Sequence, residues 1–199
     1  MPPDSRGLFM AVVGPDGAGK STLIRQLVRE LECRHPVRRF HWKPGLPHIQ
    51  HRQPRSPHRH APRAMLPALA FLIYHTLGFV LGHRRWVAPW CRNGGMVIMD
   101  RYYLDLLVDP RRYRMALPRF WLALGNQLVP QPDLILYLDT RPGTLVQRKE
   151  ELSLVEARRQ CRAFKKHMAE LPNGVVLDNN TAPGHTVRQA LGHIREWAS

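Results

Sequence analysis

Acidic side chains are scarce in this chain of 199 residues: 15 Asp and Glu stand against 30 Lys and Arg, a formal net charge of +15. A field of that sign attracts polyanions, whether nucleotides, nucleic acid or an anionic membrane face, and does not by itself choose among them. Cysteine is scarce too. Cys33, Cys91 and Cys161 are odd in number, far apart and free of CxxC spacing, so neither a disulfide framework nor a zinc site is indicated, and a reducing cytoplasm is the expected setting. The opening "MPPDSRGLFM" lacks a long apolar stretch ahead of a cleavage site, so "LFMAVVG" reads as a buried strand and not as a signal sequence. No internal repeat is visible, and the length suits a single domain spanning 1–199.

Against these absences stands a regular alternation. Residues 7–14 are apolar and end at Gly14, which suits a strand covered on both faces. The following "KSTLIRQLVRELE" places Leu23, Ile24, Leu27, Val28 and Leu31 on one helical face. A short strand at "VRRFHW" and further strands at "MVIMD" (96–100), "DLILYLD" (133–139) and "GVVLDN" (174–179) follow, with helical stretches between them. Pro142 suits a first helical turn, Ser153 to Glu156 spell a capping box, and an amphipathic helix runs from Pro183 to about Trp197. The fold class expected is α/β, a doubly wound, five-stranded parallel sheet flanked by helices, and the "GPDGAGKS" (14–21) between its first strand and first helix makes it a P-loop NTPase fold.

Two stretches break the pattern. Residues 33–63 hold six histidines, six prolines and eight Lys or Arg, and beyond the short strand they read as a mobile, solvated basic loop. Residues 64–82 are almost wholly apolar and near the roughly 20 residues that cross a bilayer. Pro67, Tyr74, His75, Thr76 and two glycines favour a long buried helix instead, with peripheral membrane contact left open.

Between the first strand and the first helix lies "GPDGAGKS", which satisfies G-x-x-x-x-G-K-[ST] in the context the pattern requires. Glycines at 14, 17 and 19 let backbone N–H groups turn inward around phosphate oxygens, and the helix N-terminus adds partial positive charge. Gly14, Pro15, Asp16, Gly17, Ala18, Gly19, Lys20, Ser21 and Thr22 are therefore the expected ATP-binding residues, with Lys20 on the outer phosphates and Ser21 on Mg2+. The guanine-reading [NT]KxD and an LSGGQ-like segment are both missing, which argues against a GTPase and a transporter ATPase and leaves a small kinase.

"VVGPDGAGKST", then "VIMDRYY" and "PDLILYLDTRPGTLVQRK" resemble, in order and content, the motifs of thymidylate kinases. The resemblance implies that Asp16 approaches the acceptor's sugar hydroxyl; a turn carboxylate holding its own backbone is the other reading. It implies that Asp100 lies beside Mg2+ and the acceptor phosphate and that Arg101 grips phosphate oxygens, against a plain ion pair between these two neighbours. Tyr102 or Tyr103 would stack on a base, or serve the core. Residues 141–165 correspond to the family's lid and carry Arg148, Lys149, Arg158, Arg159 and Arg162. Because position 17 is Gly, the neutralising cation would come from that lid, and Arg148 is the residue expected.

On the acceptor side, "WKPG" puts Lys43 where the family usually has arginine, and lysine holds phosphate as a point charge and not as a fork. The segment that reads thymidine is replaced by "YYLDLLVDPRRYR", which resembles a thymidylate kinase-like branch associated with bacterial surface-polysaccharide loci. Arg111, Arg112 and Arg114 then meet an anionic acceptor or are surface charge. The expected activity is Mg2+-dependent transfer of the γ-phosphate of ATP to a nucleoside monophosphate, dTMP first. A sugar or polysaccharide precursor is the alternative acceptor, and an ATP-dependent module binding nucleic acid or a membrane surface is the third reading. The expected partners are ATP and a small phosphorylated acceptor, with no stable nucleic acid and no transmembrane segment; a homodimer is compatible.

Overall fold

The computed structural model describes residues 7–42, 44, 61–148 and 152–198. Most of the expected basic loop lies outside them, as do Lys43 and Lys149. The five expected strands form: β1 (Phe9–Val13), β2 (Val37–His41), β3 (Met96–Asp100), β4 (Leu134–Asp139) and β5 (Gly174–Asp178). They pair in the order β2-β3-β1-β4-β5, every pair parallel. β1, β3 and nearly all of β4 are buried because each has a strand on both sides and helices on both faces. The edge strands are less covered. β2 exposes Arg38, Arg39 and His41, and β5 exposes Val176, since each has only one neighbour.

The helices are α1 (Lys20–Glu32), α2 (Met65–Gly82), α3 (Ala88–Arg92), α4 (Tyr103–Val108), α5 (Arg119–Leu128), α6 (Pro142–Arg148), α7 (Leu154–Glu170) and α8 (Pro183–Ala198). α1 begins at the lysine of the glycine loop and buries Leu23, Ile24, Leu27 and Leu31, the stripe its spacing predicts. α7 starts at the expected cap, where Ser153 Oγ accepts from the Glu156 N–H. Two cores result. One packs Leu8, Met10, Val12, Ile24 and Leu27 beneath α1 and α8; the other packs Phe79, Tyr102, Tyr103 and Tyr137 beneath α2, α4, α5 and α7.

α2 corrects the expectation of a fully buried helix. Leu72, His75, Thr76 and Phe79 face inward, but Leu66, Ile73, Leu77 and Leu81 are each more than half exposed. Among the described residues one stripe finds partners, in the core and in α5, so an all-apolar helix is half covered by them. Met65–Arg92 is, among the described residues, a helical run long and apolar enough to cross a membrane.

Candidate active site

The site lies where ligands bind in open parallel sheets, beyond the carboxyl ends of the strands. β1 ends in the glycine loop, whose turns need Gly17 at φ 85° and Gly19 at φ 91°, the left-handed region that side chains disfavour. Gly19 delivers the chain directly into α1, so the first amides of the helix point at the cleft. Lys20 Nζ folds back to donate to the carbonyls of Gly14 (2.6 Å) and Pro15 (2.8 Å). Burial, then the charge of Arg101, lowers its pKa to about 7. A polyphosphate entering the loop offers this ammonium a better partner than two carbonyls.

Two residues that sequence reading missed fix the loop from behind. Asn179 Nδ2 donates to the Ala18 carbonyl at 2.7 Å and to Thr140 Oγ1 at 3.1 Å. Thr140 and Asn179 are each the residue immediately after a parallel strand, β4 and β5, and that position was the available signal. Arg148, at the end of α6, donates from Nη1 to the Gly17 carbonyl at 3.2 Å. The lid arginine singled out from sequence thus stands over the glycine loop.

On the other side, the register of β3 against β2 sets Asp100 beside His41. Asp100 Oδ2 accepts from Arg39 Nη2 at 2.9 Å and from Ser21 Oγ at 3.4 Å, and His41 Nδ1 is 3.5 Å away. Burial works to raise the Asp100 pKa, but the His41 and Arg39 hydrogen bonds outweigh it and hold the carboxyl at about 2. Asp100 and Arg101 do not pair with each other. Arg101 turns away through a left-handed backbone at φ 74°, a costly conformation in a non-glycine residue, and its side chain reaches Asp16. Asp16 also receives Arg112, so its carboxylate spans two guanidiniums and does not fold back on its own turn. Burial alone would raise its pKa; Arg101, Arg112 and Lys20 together hold it far below the ordinary carboxylate range.

A cleft of about 530 Å³ joins these groups, with Asp16, Lys20, Ser21, Asp100, Arg101 and Arg148 on its walls. Tyr102 and Tyr103 are not among them. Tyr102 donates its hydroxyl to the Pro130 carbonyl and packs edge-on against Phe79, and Tyr103 is fully buried, so both serve the core. Arg111 is exposed and Arg114 donates to the Ala61 carbonyl at 2.9 Å, whereas Arg112 of that turn reaches Asp16 on the cleft wall.

A glycine loop on a central parallel strand, a lysine inside it, a carboxylate at the tip of the adjacent strand and arginines closing from both flanks define a P-loop phosphotransferase. Curated sequences carry the identification further. A thymidylate kinase of Xylella fastidiosa is 30% identical over 206 aligned residues, covering 96% of this chain and 88% of that protein. A thymidylate kinase of Xanthomonas campestris is 28% identical over 199, covering 92% and 81%, and one of Francisella tularensis is 26% identical over 181, covering 85% and 87%. The chain belongs to the thymidylate kinase family. No protein-family model matches it.

Proposed function

We propose that the protein transfers the γ-phosphoryl group of ATP to a nucleoside monophosphate, with dTMP the first acceptor to test and Mg2+ as the companion of ATP. The observation that carries this reading is the convergence of Lys20, Asp100, Arg101, Asp16 and Arg148 on one cleft from three separate segments of chain. Phosphoryl transfer between two anions needs positioning and fixed positive charge more than covalent chemistry, and this cleft is built of both.

Gly14 to Thr22 would cradle the donor phosphates, with Lys20 bridging the outer two and Arg148 closing over them. Asp16 would take the acceptor's sugar hydroxyl, and Arg101 its phosphate; Lys43, outside the described residues, remains a proposed acceptor contact. Ser21 Oγ and Asp100 Oδ2, 3.4 Å apart, are the oxygen pair that would hold Mg2+, which prefers few protein ligands and keeps phosphate and water for the rest. Bound there, the ion would neutralise charge on the phosphates. The three cysteines are free thiols, which supports a reducing, cytoplasmic setting.

The burial of Tyr102 and Tyr103 favours a second reading, in which the acceptor is a different phosphorylated metabolite such as a sugar phosphate. A coupled ADP-release assay across dTMP, dUMP, UMP, CMP, AMP and GMP separates the two. Turnover led by dTMP supports the first reading; turnover with none of the six removes it.

A further inference from the structure

We propose that Arg112 is a ligand of the acceptor's phosphate, paired with Arg101, and that the Asp16 carboxylate stands in the place that this phosphate takes. The proposal rests on the reading of the cleft as a kinase site and adds the residue that selects a phosphorylated acceptor over a neutral one.

Arg112 lies in the 3-10 turn Pro110–Tyr113 that follows α4, far in sequence from the glycine loop. Its Nη1 nonetheless meets Asp16 Oδ2, while Arg101 Nη2 meets Oδ1 of the same carboxylate. Both guanidiniums are largely buried, with side-chain exposures of 17% and 14%. A carboxylate and a phosphate present oxygens at similar spacing, which is why an arginine fork accepts either. If Asp16 turns to an acceptor hydroxyl, both guanidiniums give up the carboxylate they share, Arg101 keeping Asp105 at 3.5 Å, and an anion that takes its place restores those contacts. A phosphate monoester carrying that hydroxyl supplies both partners in one exchange, and a neutral sugar or nucleoside supplies only one.

The turn is held for this purpose from α7. The Arg112 N–H donates to Asp109 Oδ1 at 3.3 Å, and the buried Gln160 of α7 donates from Nε2 to Asp109 Oδ2 at 3.0 Å. Arg159, one residue earlier, donates to the Val108 carbonyl at 3.0 Å. Gln160 is therefore a positioning residue: it fixes Asp109, and Asp109 fixes the turn that aims Arg112.

The test is calorimetry of dTMP binding to the full chain with a non-hydrolysable ATP analogue and Mg2+ present, alongside steady-state kinetics, for wild type, Arg112→Gln, Arg112→Lys and Gln160→Met. Arg112→Gln should weaken dTMP at least roughly tenfold, the loss of one charged hydrogen bond, and leave the KM for ATP within about twofold. Arg112→Lys, which keeps the charge and guards against misfolding, should fall between. Gln160→Met should raise the acceptor KM while kcat stays within about twofold, a split that general destabilisation does not produce. Wild-type affinity for dTMP in Arg112→Gln overturns the proposal. If the wild type binds none of the six nucleotides, the nucleotide reading fails, and titration with inorganic phosphate decides: binding that Arg112→Gln abolishes supports the clamp, and no binding, or equal binding, overturns it.

Discussion

Lys20 is the side chain on which stability and activity pull in opposite directions. Its ordinary pKa of 10.5 falls to about 7 because folding removes it from water beside Arg101. Between those two values the unfolded chain holds a proton that the folded chain has released, so this group makes stability rise with pH from about 7 to about 10.5. Replacing Lys20 with Met should remove that slope. Urea unfolding at several pH values would then show the wild type gaining on the variant between about pH 7 and 10, and a constant or shrinking gap would refute the assignment. Saturating Mg-ATP should flatten the wild-type slope, since phosphate charge restores the ammonium. The same substitution should lower kcat by on the order of a hundredfold or more, because a fixed cation facing developing negative charge is lost. Lys20 and Ser21 were legible as cleft residues from one sequence because their spacing in the glycine loop states their chemistry, and Asp100 and Arg101 because their segment resembles a thymidylate kinase motif. Arg39, His41, Thr140 and Asn179 were not, since each acquires its role only from the strand that lies beside its own.

The secondary structure elements were legible wherever a periodic pattern had one outcome. α1 runs over Lys20–Glu32 as its stripe predicts, and β1 and β3 fall inside their apolar runs. α2 was legible as a helix but not in its burial, because residues apolar on every side do not reveal which side meets a partner. The structure answers that with neighbours three to five positions apart. Leu72 is 3% exposed and Leu77 is 51% exposed, though the two are chemically identical and share a helix. Leu72→Ala should therefore cost about 2–5 kcal/mol and Leu77→Ala about 0.5 kcal/mol or less, measured by chemical unfolding of each variant. Similar losses at both sites would mean that the outer face of α2 is covered in solution. The seat of α5 against α2 and α4 is tighter still: a Cβ on Gly125 would fall 2.0 Å from the Tyr103 hydroxyl and 3.1 Å from Thr76 Oγ1. Gly125→Ala should cost about 1–3 kcal/mol by overpacking, and a neutral result would show that Tyr103 has room to move.

The excess positive charge is unevenly distributed. Residues 33–132, which include β2, β3 and the turn bearing Arg112, contain 16 Lys or Arg and 3 Asp or Glu, whereas residues 134–198 contain 10 and 7. No carboxylate side chain occurs between Glu32 and Asp100. The stretch of chain that supplies Asp100, Arg101 and Arg112, the proposed acceptor contacts, thus holds most of the net positive charge, and the stretch from β4 onward is nearly balanced. Such a field raises the local concentration of an anionic ligand and its rate of capture, and salt screens it over a length of about 8 Å at physiological ionic strength. The two substrates should then respond unequally to salt. Raising KCl from about 20 to about 300 mM should increase the KM for the monophosphate acceptor several-fold, raise the KM for Mg-ATP less, and leave kcat nearly constant, because the contacts made after docking are desolvated. Steady-state kinetics at fixed pH and free Mg2+ make the comparison directly. Equal sensitivity of the two KM values would mean that the arginines of residues 33–132 act on the surroundings of the protein and not on the cleft, and that the charge of the acceptor is recognised only at contact, by Arg101 and Arg112.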